Sequence, residues 1–223
     1  MGRLIVLEGT DGSGKSTQMG LLTERLAREG TQFRKLVFPR YSEPSSMLIR
    51  MYLSGEFGSH PDDVNAYAAS TFYAVDRYAS YKQDWGDYYE SGGLLVSDRY
   101  TTSNAVHQAP KLEPSARREF LTWLYDLEYA KMGLPKPDLV IYLDMPTELS
   151  EQLMRQREEK THTTADIHEQ DADYLAHCRA ASRDAAAFSG WRIVPCAKDG
   201  ALRPVQDIHE EIYALVRACM EGN

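Results

Sequence analysis

One short run constrains this chain more than any other: Gly9-Thr10-Asp11-Gly12-Ser13-Gly14-Lys15-Ser16 matches the phosphate-loop pattern G-x-x-x-x-G-K-[S/T] and follows the apolar run Leu4-Ile5-Val6-Leu7. Glycines let the backbone turn so that successive N–H groups face inward, and such a concavity binds anions. Lys15 brings a point charge for the outer phosphates, the Ser16 hydroxyl can ligate Mg²⁺, and a helix starting near Lys15 adds its positive end. The pattern demands a strand before it and a helix after it. The apolar run supplies the first, and Thr17 to Ala27, apolar at helical spacing toward Gly30, supplies the second. A glycine turn with no ligand is the plainer alternative. A dinucleotide-binding turn would need G-x-G-x-x-G, whereas here Gly12-Ser13-Gly14 runs into Lys15-Ser16-Thr17. Gly9 to Thr17 is therefore the candidate triphosphate-binding segment.

At 223 residues the chain suits one α/β domain with a full core. Its net charge of −8 argues against a nucleic-acid surface, so any bound phosphate has to be met by cations gathered locally. Lys15, Arg40, Arg77, Arg99, Arg155 and Arg157 are the cations whose placement matters. Cys178, Cys196 and Cys219 are too few and too scattered for a zinc site or disulfide framework, and read as free thiols of a reducing compartment. With no leader, no membrane-length apolar run and no lipidation signal, the expectation is a cytoplasmic protein without a membrane partner.

Residues 33–38 read as a second strand, stopped by Pro39. Ligands of open α/β sheets sit beyond the carboxyl ends of the strands, so Arg40 is placed to meet a second phosphate; a solvated loop arginine is the bland alternative. A short helix over 44–53 and a longer one over 62–82 follow. On the second, Tyr67, Thr71, Ala74, Tyr78 and Tyr81 recur at steps of three and four and predict an aromatic-rich core stripe, with Tyr73 and Arg77 as an i, i+4 pair suited to a planar, carbonyl-bearing ligand.

Leu94 to Ser97 is a buried-type strand that ends in Asp98, which resembles a Walker B carboxylate able to bind Mg²⁺, with Arg99 beside it for phosphate charge. A salt-bridged loop pair is the alternative there. Thr102, Ser103, Asn104, His107 and Gln108 form a polar cluster able to recognise ring atoms or a sugar. A helix over about 114–132, a strand over 138–144 and a helix from Pro146 or Thr147 come next. The segment from Arg155 to Thr164 is basic, polar and without an apolar stripe, which predicts a mobile lid over about 155–168, or else a solvated helix end. A helix over 166–188, a fifth strand over 191–196 and a last helix opened by Pro204 complete the chain. Alternating strands and helices, with no repeat or linker, predict one three-layer α/β/α sandwich on a five-stranded parallel sheet.

These stations together resemble the thymidylate kinases over essentially the whole chain: Asp11 inside the phosphate loop, Phe38-Pro39-Arg40, Tyr73-Ala74-Val75-Asp76-Arg77, Asp98-Arg99-Tyr100 with Ser103, Asn104 and Gln108 beyond, and Gly133-Leu134-Pro135-Lys136-Pro137-Asp138. The resemblance implies a P-loop nucleoside monophosphate kinase that transfers the γ-phosphoryl of ATP to dTMP with Mg²⁺, held by Ser16 and Asp98, and that tends toward homodimers. It further implies that Asp11 approaches the acceptor's sugar and phosphate, that Arg40 contacts that phosphate with Phe38 and Pro39 beside it in the dTMP site, and that Arg99 holds the phosphate. Tyr73, where phenylalanine is usual, would stack on thymine, with Arg77 at the base edge and Ser103, Asn104 and Gln108 reading the base. Asp166, His168 and Glu169 match the helix after the lid, whose acidic residue lies near the deoxyribose. Some members carry an arginine in the loop where this chain has Gly12, and members without it place arginines in the lid, so Arg155 and Arg157 join Lys15, Arg99 and Asp11 as catalytic candidates. A kinase for another deoxynucleoside monophosphate or a deoxynucleoside, and from a different class a nucleotide-binding switch, remain as alternatives; the guanine-reading Asn-Lys-x-Asp expected of a GTPase switch does not occur.

Overall fold

Alternation of side chains builds the sheet. In β1 (Arg3–Gly9) Leu4 and Val6 belong to one hydrophobic cluster and Ile5 and Leu7 to the other, because successive strand residues point to opposite faces. Both faces are covered, so the strand reads as an uninterrupted apolar run. The computed structural model describes residues 1–161 and 172–222, with side chains described for 1–155 and 174–222. The elements follow in order: α1 (Lys15–Arg28), β2 (Arg34–Val37), α2 (Met47–Leu53), α3 (Ala66–Ser80), α4 (Gly86–Glu90), β3 (Leu94–Asp98), α5 (Thr102–His107), α6 (Pro114–Tyr125), β4 (Leu139–Asp144), α7 (Thr147–Thr161), α8 (Ala172–Ser189), β5 (Arg192–Pro195), a short hairpin β6 (Ala197–Lys198) and β7 (Ala201–Leu202), and α9 (Val205–Glu221).

The five main strands are all parallel in the order β2-β3-β1-β4-β5. Met19, Leu22 and Leu26 of α1 and Ile208, Ile212 and Val216 of α9 pack on one face, while Ala66 of α3, Phe120, Leu121 and Leu124 of α6 and Ala181, Ala185 and Ala186 of α8 pack on the other. The expected three-layer α/β/α arrangement is the one observed. Its registers position the site: Leu7 pairs with Asp98, so the carboxyl ends of β1 and β3 lie side by side, and Gly9 pairs with Leu143 of β4.

Three expectations need correction. The long helix starts at Ala66 rather than Asp62, because the Asn65 side chain accepts from the Ala68 N–H at 2.9 Å and caps it, while Pro61–Asp63 forms a separate 3-10 turn. Its buried face is also not the aromatic stripe. Thr71 and Tyr78 are exposed, and the face turned inward is Ala66, Ala69, Ser70, Ala74, Asp76, Arg77 and Ser80. Small side chains there let the helix backbone approach its neighbours, and two charged residues are drawn in because each finds a partner. Finally, the stretch expected only as a polar cluster is α5; opened by a threonine, a serine and an asparagine, it has no apolar period to announce it. The helix expected over 114–132 is α6 continued by a π turn, Asp126–Lys131. Of the helix expected over 166–188, the part before Ala172 lies outside the described residues.

Candidate active site

The phosphate loop takes the conformation its glycines permit: Gly12 and Gly14 have φ of 73° and 84°, and the Ser13 N–H donates to the Thr10 carbonyl at 3.2 Å. Gly14 is the N-cap of α1 and supplies no side-chain cap, and the first turn holds no acidic residue. The leading N–H groups of α1 therefore end in an open, positive terminus suited to an anion. The Lys15 ammonium donates to the carbonyls of Gly9 at 2.8 Å and Thr10 at 3.2 Å, using two of its three protons. Burial, followed by the charge of Arg99, lowers its pKa from 10.5, against the opposing pull of Asp11, Glu8 and Asp98. Asp11, Gly12, Ser13, Gly14, Lys15, Ser16 and Thr17 line one cleft together with Asp98, Arg99 and Leu153, which brings the loop and the end of β3 into one space as expected; the candidates Gly9 and Thr10 are buried and do not line it.

Gly12 is also held against α7. A Cβ placed on it would lie 2.5 Å from the Ser150 carbonyl oxygen and 2.9 Å from Met154 Cγ. Any side chain at this place, an arginine included, has to displace α7. On that helix Arg155 is exposed and lies 3.7 Å from Glu151. The side chain of Arg157, and residues 162–168 of the expected lid with Asp166, His168 and also Glu169, lie outside the described residues.

A second cleft opens beside the first. Asp11, Phe38, Pro39, Tyr73, Arg77, Arg99, Ser103, Asn104 and Gln108, all sequence candidates, line it together with His107 of the expected polar cluster, and Tyr41, Leu53 and Tyr100 join them. Phe38 and Tyr100 pack ring to ring at 5.9 Å. Arg40 is the described candidate that this lining omits. Its Nε lies 3.3 Å from Asp76 Oδ1, its own N–H donates to Asp76 Oδ2 at 2.8 Å, and its Nη2 donates to Ser45 Oγ. A buried acid one residue before Arg77 thus holds the arginine that follows β2.

The two clefts share Asp11 and Arg99. Arg99, with φ of 67°, donates through Nη2 to Asp11 Oδ1 at 2.5 Å and through Nη1 to His107 Nε2 at 2.7 Å. Burial opposes its charge, but Asp11, Glu8 and Asp98 outweigh burial and raise its pKa above the usual arginine value. Arg99 is paired with Asp11, not with its neighbour Asp98.

Two buried acids went unread in the sequence. Glu8, at the end of β1, accepts from Thr102 Oγ1 and Ser103 Oγ at 2.8 Å each and from the Gly9 N–H at 3.1 Å, and lies 3.8 Å from Arg99. Glu128 takes both Nε and Nη2 of Arg77. Glu8 does carry a signal, an acid closing an apolar strand immediately before the loop; Glu128 carries none.

For Mg²⁺ the chemistry of the cleft fits. Ser16 offers a hydroxyl and Asp98 a carboxylate, both hard oxygen ligands, and Asp98 forms no salt bridge among the described residues. No group of three or more His, Cys, Asp or Glu that could hold a metal occurs among the described residues, and a magnesium ion bound mainly through phosphates does not need one.

Comparisons with known proteins agree with this geometry. A family model described as thymidylate kinase matches residues 7–212. The thymidylate kinase of Mycobacterium tuberculosis is 32% identical over 190 residues, covering 84% of this chain and 87% of that protein. A "Probable thymidylate kinase" of Thermococcus onnurineus is 31% identical over 219 residues, covering 95% and 96%. The solved structure of thymidylate kinase from Candida albicans superposes with a TM-score of 0.70 at 21% identity, covering 97% of this chain and 92% of that one, and shares the fold. No described helix is long and apolar enough to cross a membrane. By family model, by relatives matched over most of their length and by fold, the chain belongs to the thymidylate kinase family.

Proposed function

We propose that this chain transfers the γ-phosphoryl group of ATP to dTMP, yielding dTDP and ADP. The observation that carries the reading is the shared wall: an anion-binding cleft at the phosphate loop and a second cleft lined by aromatic and amide side chains meet at one ion pair, Asp11 with Arg99. A donor and an acceptor phosphate placed on either side of Arg99 would lie within reach of each other. Such a transfer asks little covalent chemistry of the protein, so positioning and charge neutralisation supply most of the rate.

The roles follow from the surroundings. The open N-terminus of α1 and Lys15 hold the donor phosphates, with Lys15 turning from the carbonyls of Gly9 and Thr10. Mg²⁺, held by Ser16 and Asp98, would neutralise charge on the donor phosphates when bound. Arg99 holds the acceptor phosphate, and Arg40 exchanges Asp76 for the same group. Tyr73 offers a ring for stacking, and Arg77, Asn104, Ser103 and Gln108 meet the base. Arg155 and Arg157 are the lid-arginine candidates for the transferring group, and Asp166, His168 and Glu169 the candidates for the sugar; of these only the Arg155 side chain lies within the described residues. No general base is needed, since the acceptor is already an anionic phosphate oxygen near neutral pH.

The same reading takes residues 1–223 as one domain acting as a homodimer, to which the half-exposed Val75 and the exposed Tyr78 on α3 lend support as an apolar patch. The low number and wide spacing of Cys178, Cys196 and Cys219 suit a reducing cytoplasm. The test is the acceptor profile. ADP release with Mg-ATP should be stimulated most by dTMP among dTMP, dUMP, dCMP, dGMP and thymidine. Preference for thymidine or another monophosphate overturns the assignment, and hydrolysis independent of any acceptor points to a switch.

A further inference from the structure

Glu128 sits in the π turn that ends α6 and has no solvent exposure. A carboxylate so buried is costly unless its oxygens are satisfied, and here four donors converge on it. Arg77 Nε donates to Oε2 at 2.6 Å and Nη2 to Oε1 at 2.5 Å, a two-pronged contact that fixes the guanidinium plane. Thr101 Oγ1 donates to Oε2 at 2.7 Å, and Asn104 Nδ2 reaches Oε1 at 3.5 Å while also donating to the Ser70 carbonyl at 3.3 Å. Arg77 is itself 2% exposed and is further tied through Nη1 to the Tyr100 carbonyl at 3.4 Å.

Two consequences follow for the acceptor cleft, which Arg77 and Asn104 both line. The charge of Arg77 is cancelled locally, so it acts there as a fixed donor of N–H groups toward a neutral carbonyl rather than as an anion trap. Asn104 has its Nδ2 committed to Ser70 and Glu128, which leaves Oδ1 as the acceptor it can offer a ligand. A donor from Arg77 beside an acceptor from Asn104 complements a 4-keto pyrimidine with N3–H. It opposes cytosine, whose 4-amino group and bare N3 present the reverse pattern. We infer that Glu128 is a positioning residue that sets base selection, by locking Arg77 and Asn104 in the donor and acceptor roles a keto pyrimidine requires.

This rests on the proposed dTMP kinase activity, and the experiment separates the two. Kinetics with dTMP and dCMP are measured at saturating Mg-ATP for the wild type, Glu128→Gln and Glu128→Asp, with melting curves for each. In Glu128→Gln an amide N–H₂ faces donors, so Arg77 and Asn104 lose their fixed orientation. The expected result is a fall of about 10–100-fold in kcat/KM for dTMP, carried mostly by KM, and a fall of at least about tenfold in the dTMP-to-dCMP ratio of kcat/KM. KM for ATP should stay within about twofold. Glu128→Asp keeps the charge but withdraws the oxygens, and its ratio should fall in the same direction. It also serves if the glutamine variant does not fold. A purely structural role would lower the melting temperature and leave the base ratio intact. Unchanged ratios in the folded variants overturn the inference, whereas a wild type inactive toward dTMP overturns the functional reading beneath it.

Discussion

Replacing Gly12 by alanine should damage this protein through two separable terms. The residue has φ of 73°, a conformation that costs an L-residue about 1–2 kcal/mol. The new Cβ would also stand 2.5 Å from the Ser150 carbonyl oxygen, where ordinary contact begins at 3.4 Å, so the backbone of α7 must retreat by nearly an ångström. Forcing atoms into a filled site costs typically about 1–3 kcal/mol. Gly14 provides the comparison: its φ is 84°, yet a Cβ there meets nothing within 4 Å. Gly14→Ala thus carries the conformational term alone, about 1–2 kcal/mol, and Gly12→Ala both, about 2–5 kcal/mol. For a chain of this size each kcal/mol lowers the melting temperature by about 2–4 °C, so Gly12→Ala should melt roughly 2–12 °C below Gly14→Ala. Thermal denaturation of both proteins without nucleotide, followed by circular dichroism, measures the gap. If the two variants melt together, the contact between the phosphate loop and α7 is not a packing constraint, and the explanation given for glycine at position 12 fails.

Two further outcomes follow from buried charge. Asp144 accepts from Arg179 Nε at 2.7 Å and Arg183 Nη2 at 2.5 Å; burial would raise its pKa, but these bonds outweigh burial and lower it from 3.8. A carboxylate lowered in the folded state contributes stability above its ordinary pKa and loses it as pH falls through the lowered value. Asp144→Asn should therefore cost about 1–2 kcal/mol in urea unfolding at pH 6, Arg183 being half exposed, with the gap to wild type closing below pH 3.8; a gap independent of pH would contradict the assignment. Glu8→Ala should strand the hydroxyls of Thr102 and Ser103 and lower stability by about 2–4 kcal/mol, with Glu8→Gln recovering part of it because an amide oxygen still accepts. Equal unfolding midpoints for the two variants would show that these bonds are not what Glu8 supplies.

What the sequence disclosed depended on range. The phosphate loop, the buried strands and the helices with apolar period are local patterns, and apart from the start of the long helix at Ala66 each described end lies within a residue or two of where it was expected. Nine of the residues proposed for the acceptor side line one cleft because each follows the carboxyl end of a strand or sits on the helix facing it. Partnerships were not legible. Asp76 takes Arg40 across 36 residues, Glu128 takes Arg77 across 51, and Glu8 meets Thr102 across 94. Helical spacing could place Tyr67 and Tyr78 on one stripe, but which face turned inward was decided by small residues and by the distant partners Arg40 and Glu128, which receive Asp76 and Arg77. Likewise α5 is shaped by what its side chains reach, since nothing in its own composition favours a helix strongly.

Because Leu7 and Asp98 are partners in one ladder, the loop that follows β1 and the arginine that follows β3 depart from adjacent rungs about 4.8 Å apart. That spacing works as a ruler laid down by backbone hydrogen bonds, indifferent to whichever side chains later decorate the rim. Neighbouring segments can drift and trade one guest for another while the gauge between the two halves of the reaction stays fixed.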